Sequence, residues 1–164
     1  MVMSFSQALH PETDADAASV DEATLQAARR AYATQFAWHV VVDGGSVGLC
    51  LDGPVRGVAM RAGFGCEVAG LLWSSEPLGP VLAVPGSAML LWVFLVAPEE
   101  GGGCPAVPPG SQLLSTGQTV PLPPSRSRWG EVRWVKRPDP AARHLPGVRT
   151  LFAAVRAAYR PHRW

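Results

Sequence analysis

The chain lacks most of the features that would assign it to a special environment. Only three cysteines occur in 164 residues, Cys50, Cys66 and Cys104, with no CxxC pair. An odd, widely spaced set argues against a disulfide framework and a tetrahedral zinc site, and for a reducing, cytoplasmic setting. Lysine occurs once, at Lys136, so 13 of the 14 basic residues are arginine. Beside abundant Ala, Gly and Pro, that bias reflects GC-rich coding more than function. No basic segment followed by an apolar run opens the chain, so no secretory signal is expected. The apolar run Met89 to Val96 is too short to span a bilayer, so no membrane partner is expected. Charged residues make up only 16% against 48% hydrophobic, which excludes a disordered chain and fits one globular domain.

What is present is an uneven distribution of charge. Residues 1–125 carry 4 basic and 11 acidic side chains, whereas residues 126–164 carry 10 basic and 2 acidic ones, giving balances of −7 and +8. Such asymmetry suggests contact with nucleic acid or another anionic partner, or attraction between the two halves of one fold.

Residues 1–18 show no helical period and read as a tail, followed by one domain over 19–160 and a short tail at 161–164. Ser19 and Glu22 have the spacing of a capping box for a helix running to about Gln35. Three strands are expected at Ala37–Val42, Val47–Leu51 and Arg56–Arg61. Turns at Asp43-Gly44-Gly45-Ser46 and Asp52-Gly53-Pro54 would make them a meander of two hairpins. Ala62–Gly65 reads as a loop and Cys66–Trp73 as a short helix. Val81 to Val96 is a hairpin around Pro85-Gly86-Ser87. Its second strand is apolar at every position, as expected of a strand covered on both faces.

Residues 98–111 form a Gly- and Pro-rich loop. Leu113–Leu122 suggests a strand pair broken at Thr116-Gly117-Gln118, with Pro121, Pro123 and Pro124 holding it to a sheet edge. Trp129–Arg137 alternates, placing Val132, Trp134 and Lys136 on one face and Arg133, Val135 and Arg137 on the other. A last helix spans about Val148–Tyr159. This order predicts an α+β fold with a mixed, mostly antiparallel sheet of hairpins and N-terminal, middle and C-terminal helices.

Few residues carry obvious chemistry. His10, His39, His144 and His162 are scattered, without metal-ligand spacing, so neither a metal nor a cofactor is expected. Gly101-Gly102-Gly103 lacks the strand, lysine and helix of a phosphate loop. His39 alternates with Trp38 and Val40 and reads as a hydrogen-bonded, half-buried histidine. Asp43 and Asp52 read as turn caps. Cys50, Cys66, His39 and Asp52 supply a nucleophile, a base and an acid on paper, but no spacing draws them together. Arg126, Arg128, Arg133, Lys136, Arg137 and Arg143 interleave with Trp129 and Trp134. Nucleic-acid surfaces use that mixture for phosphate contact and base stacking, and arginines stacked on core tryptophans give it too.

The layout resembles the N-terminal domain of bifunctional DNA primase/polymerases (prim-pol, in the archaeo-eukaryotic primase group), especially short, divergent actinobacterial members. LQAARRAYATQFAWHVVV is similar to that family's first helix and strand, and SVGLCLDGPVRGVAM to its next hairpin. LGPVLAVPGSAMLLWVFLV resembles its central hairpin. TGQTVPLPPSRSRWGEVRWVKRPDPAARHLPGV resembles its segment with an LPPS-like turn, a Trp-ended strand and a closing helix. The similarity covers about Leu25 to Ala158 and rests on order and spacing.

Catalytic members carry paired acids on the strand matching Arg56–Arg61, to hold two divalent metals; here it reads RGVAMR. Their histidine near the start of the second hairpin strand is replaced by Ser87-Ala88-Met89-Leu90-Leu91. Their third acid, near the LPPS-like turn, has no counterpart between Ser111 and Arg128. Their Cys-rich insertion is replaced by Asp43-Gly44-Gly45. The resemblance therefore implies a non-catalytic module. It would bind a protein partner, a second copy of itself or nucleic acid through Arg126, Arg128, Trp129, Arg133, Lys136, Arg137 and Arg143. The competing expectation is a small-molecule enzyme or accessory protein with a cleft built around Cys50, Cys66, His39 or Asp52.

Overall fold

The computed structural model describes residues 19–74 and 78–160. The expected tails, residues 1–18 and 161–164, and residues 75–77, which include the Pro77 expected to end the Cys66–Trp73 helix, lie outside the described residues.

Helix α1 spans Glu22–Phe36 and is capped by Asp21. One Asp21 carboxylate oxygen accepts from the Thr24 N–H (2.9 Å) and the other from the Thr24 hydroxyl (2.6 Å). These bonds, the hydroxyl's first, hold the Asp21 carboxyl below the usual carboxylate range. This arrangement displaces the expected Ser19–Glu22 box: Glu22 instead accepts from the Gln26 side chain at 2.9 Å. The helix ends at Ala37, which sits in the left-handed region at φ 56° and donates its N–H to the Ala33 carbonyl.

Strands β1 (Val40–Asp43) and β2 (Ser46–Cys50) form the expected hairpin. The second expected hairpin does not form. β2 pairs instead with β7 (Thr119–Leu122), and β3 (Arg56–Arg61) enters a different sheet. β4 (Val81–Pro85), β5 (Leu90–Val96), β6 (Ser111–Leu113) and β10 (Arg133–Lys136) complete that sheet, in the order β10-β4-β5-β3-β6. Thus β6 and β7 are not partners of each other but edge strands of separate sheets. A two-stranded ribbon joins β8 (Arg126–Ser127) to β9 (Gly130–Glu131). Every ladder is antiparallel, and an isolated bridge from Ala97 to Gly147 is parallel. With helices α2 (Ala62–Trp73) and α3 (Val148–Ala158), the fold is α+β.

The five-stranded sheet is covered on both faces. Leu82, Val84, Val93 and Leu95 join Val40, Val47, Leu49, Leu51, Val120 and Leu122 of the smaller sheet, with Leu25 of α1, in one core. Val58, Met60, Val81, Phe94 and Val96 pack on Val68 and Leu72 of α2 and on Leu151, Phe152 and Val155 of α3 in the other. β5 lies in the middle of this sheet and supplies both cores, which is why its sequence shows no polar face. α2 begins at Ala62, four residues earlier than expected. Gly65, which lowers helix propensity, lies against the Trp92 ring where an added Cβ would sit 3.0 Å from it.

Two polar ties hold the layers. Past the end of β7, where Pro123 and Pro124 lack N–H groups, the buried Ser125 hydroxyl turns back onto Val47, the β2 residue opposite Leu122. It accepts from the Val47 N–H and donates to the Val47 carbonyl, both at 2.9 Å. The Tyr32 hydroxyl donates to the Pro123 carbonyl at 2.8 Å and accepts from the Trp134 indole at 3.1 Å. Tyr32, Phe36, Trp38 and Trp134 form one aromatic cluster. Burial pushes the Tyr32 phenol above its ordinary 10.0, opposed by the Trp134 bond and the charge of Arg137.

Candidate functional site

The basic segment folds as a ribbon followed by an edge strand. Arg126 and Glu131 face each other across β8–β9 and form an ion pair at 2.6 Å, while Arg133 reaches the other oxygen of Glu131 at 3.1 Å. One carboxylate thus sits between two guanidiniums. At the ribbon's tip the Arg128 guanidinium lies 3.8 Å from the centre of the exposed Trp129 ring.

β10 pairs with β4 through Arg133 opposite Ala83 and Trp134 opposite Leu82, and then the register shifts so that Lys136 lies opposite Val81. Leu82 faces the core between the sheets, whereas Val81 faces the helices. The irregularity therefore moves Lys136 off the Trp134 face, against the strict alternation expected for this strand. Its ammonium comes to 5.6 Å from the Trp73 ring at the end of α2. Trp73 is 72% exposed. Nothing local in the sequence links Trp73 to Lys136, because the contact crosses from α2 to β10. Trp134, by contrast, is tied into the aromatic cluster and is no part of this surface. Arg137 and Arg143 lie on the exposed chain leaving β10 and make no ion pair among the described residues.

A second constellation lies on the smaller sheet. The Cys50 N–H donates to the His39 carbonyl at 2.9 Å, extending the β1–β2 ladder by one step. Directly opposed residues point to the same face, so Cys50 and His39 are neighbours on the side away from Val40 and Leu49. Asp52 follows, and its carboxylate meets His39 Nδ1 at 2.7 Å. His39 is hydrogen-bonded as expected but exposed rather than half-buried, with 59% of its side chain accessible. Asp52 serves it rather than only capping a turn. Cys66 does not join them: it is exposed on α2, beyond the five-stranded sheet.

Among the described residues, no three His, Cys, Asp or Glu side chains cluster so as to hold a metal ion. None of the helices there is long and apolar enough to cross a membrane. No family model, curated protein or solved structure matches this chain.

Proposed function

We propose that this chain is a non-catalytic, prim-pol-like interaction module that engages an anionic partner, single-stranded nucleic acid, through β8–β10. The observation that carries this reading is a pair of exposed tryptophans beside cations of the basic third of the chain, Trp129 under Arg128 and Trp73 of α2 under Lys136. Aromatic faces beside cations suit unpaired bases and their phosphates, because every base has a face to stack. The two arginines at Glu131 are half neutralised, so Lys136, Arg137 and Arg143 add much of the charge offered to the partner. β3 reads RGVAMR, without the carboxylates that two-metal nucleotidyl transfer requires. Three free cysteines fit a cytoplasmic setting.

The test is fluorescence anisotropy with a single-stranded oligonucleotide across a salt series. Affinity should fall with salt, with a slope reduced by about 0.7 when Arg128→Gln removes one phosphate contact. Trp129→Ala should weaken binding by about 1–3 kcal/mol. No binding at low salt would remove nucleic acid and leave a protein partner or a homodimer, which sedimentation would detect.

A second reading rests on the His39–Asp52 bond. It fixes Nδ1 as the Asp-facing nitrogen and leaves Nε2 to act on Cys50, as in a thiol enzyme. His39→Ala should then slow alkylation of Cys50 at neutral pH while leaving Cys104 unchanged. Equal rates in both proteins would dispose of it.

A further inference from the structure

We infer that the open pocket at the junction of β3 and α2 binds a small aromatic molecule carrying one anionic group. Arg61, Phe64, Gly110 and Tyr159 line a cavity of about 170 Å³. These residues come from the end of β3, the first turn of α2, the end of the Gly- and Pro-rich loop and the end of α3. The pocket lies at the β3–β6 side of the sheet, across β4 and β5 from β10, so it is separate from the basic ribbon.

The walls are held in place before any ligand arrives. The β3–β5 ladder fixes Arg61 opposite Leu91, and the β3–β6 ladder fixes Met60 opposite Ser111. The Ser111 hydroxyl donates to the Pro108 carbonyl at 2.9 Å and so shapes the loop's last turn. Farther back, Arg156 of α3 donates to the Ala106 carbonyl at 2.8 Å and ties the loop to the helix. Gly110 rests on the Phe64 ring, where an added Cβ would come within 3.0 Å. Such fixed walls lower the ordering cost of binding.

The chemistry of the lining selects the ligand. Arg61 is exposed and has no ion pair or hydrogen bond among the described residues, so its five donors are available to a carboxylate or phosphate. Phe64 and the 44% exposed Tyr159 offer ring faces to a flat apolar body. A cationic ligand would suit the rings but not the guanidinium. At about 30 Å³ per water, the cavity equals five or six waters, enough for one ring and its anionic group. A nucleotide or a drug-sized ligand needs roughly 300 Å³ or more.

The experiment is a titration followed by amide NMR, with benzoate and phenyl phosphate as probes and benzyl alcohol as the neutral control. Both anions should saturate with a dissociation constant on the order of 1 mM, as about ten non-hydrogen atoms give. They should shift Phe64, Gly110 and Tyr159 rather than the Trp129 ribbon. Arg61→Gln should weaken both anions about tenfold, and Tyr159→Leu should weaken them further, while Arg29→Gln on α1 should leave them unchanged. Urea midpoints equal to that of the parent chain would show that the variants are folded. Benzyl alcohol binding as tightly as benzoate, an Arg61→Gln constant within about twofold of the parent, or shifts confined to the ribbon would each overturn the inference.

Discussion

Ser125→Ala should be among the most damaging single-atom deletions in this chain. Ser125 is 1% exposed, and its hydroxyl meets both the N–H and the carbonyl of Val47 at 2.9 Å. The two preceding residues are prolines, which have no N–H to offer the Val47 carbonyl in its place. Removing the oxygen takes one hydrogen bond each from the N–H and the carbonyl of Val47, whose ladder partner is Leu122. Each lost bond is worth about 0.5–1.5 kcal/mol, so the net loss is about 1–3 kcal/mol. Against a total of roughly 5–15 kcal/mol, that is a large fraction. At about 2–4 °C per kcal/mol for a chain of this size, the melting temperature should fall by roughly 2–12 °C. Urea denaturation followed by Trp fluorescence measures the change directly, with an unchanged m-value showing that the unfolding remains two-state. Ser87→Ala, an exposed residue in the β4–β5 turn, is the control. A loss for Ser125→Ala below about 0.5 kcal/mol, the range of ordinary surface changes, would refute the role given to this hydroxyl.

Tyr32→Phe should cost about 1–2 kcal/mol by unpairing the Pro123 carbonyl and the Trp134 indole. The raised Tyr32 pKa adds a pH signature. Its contribution is complete below pH 10, the unfolded value, and is lost as pH rises through the higher folded value. The alkaline fall in urea midpoint should therefore be shallower in Tyr32→Phe. Gly79→Ala should destabilise by about 1–3 kcal/mol, because the rigid Pro146 ring cannot yield to the new methyl. The added Cβ would sit 2.5 Å from Pro146 Cδ, and Pro146→Ala should restore part of the loss in thermal melts. Ala37→Gly should do the opposite and stabilise by about 0.5–1 kcal/mol, since Ala37 holds a left-handed φ of 56° that glycine adopts without strain.

Much of the fold was legible in local pattern. β3 spans Arg56–Arg61 as expected after the turn at Asp52-Gly53-Pro54, and the unbroken apolar run of β5 correctly signals a strand buried on both faces. Where expectations failed, a competing partner decided. The Ser19–Glu22 spacing matched a capping box, but Thr24 offers Asp21 two donors at once. Gly63 and Gly65 read as loop because their propensity is poor. Packing of Gly65 on Trp92 makes that turn helical anyway.

The candidate sites divide in the same way. The cationic bias of residues 126–164 is visible by counting, but its geometry is not. A shift in register between Trp134 and Lys136 turns Lys136 toward Trp73, and no pattern within β10 announces it. The bond between Asp52 and His39 needed the β1–β2 ladder to bring residues thirteen apart onto one face. The Arg61 pocket gathers side chains separated by up to 98 positions, Arg61 to Tyr159, and had no sequence signal at all. Composition and period determined the class of fold, the buried strand and the charged third, because those depend on hydrophobic burial and local backbone preference. Which strands pair, which face each cation takes and where a cavity opens are long-range outcomes of packing, and only the tertiary structure decided them.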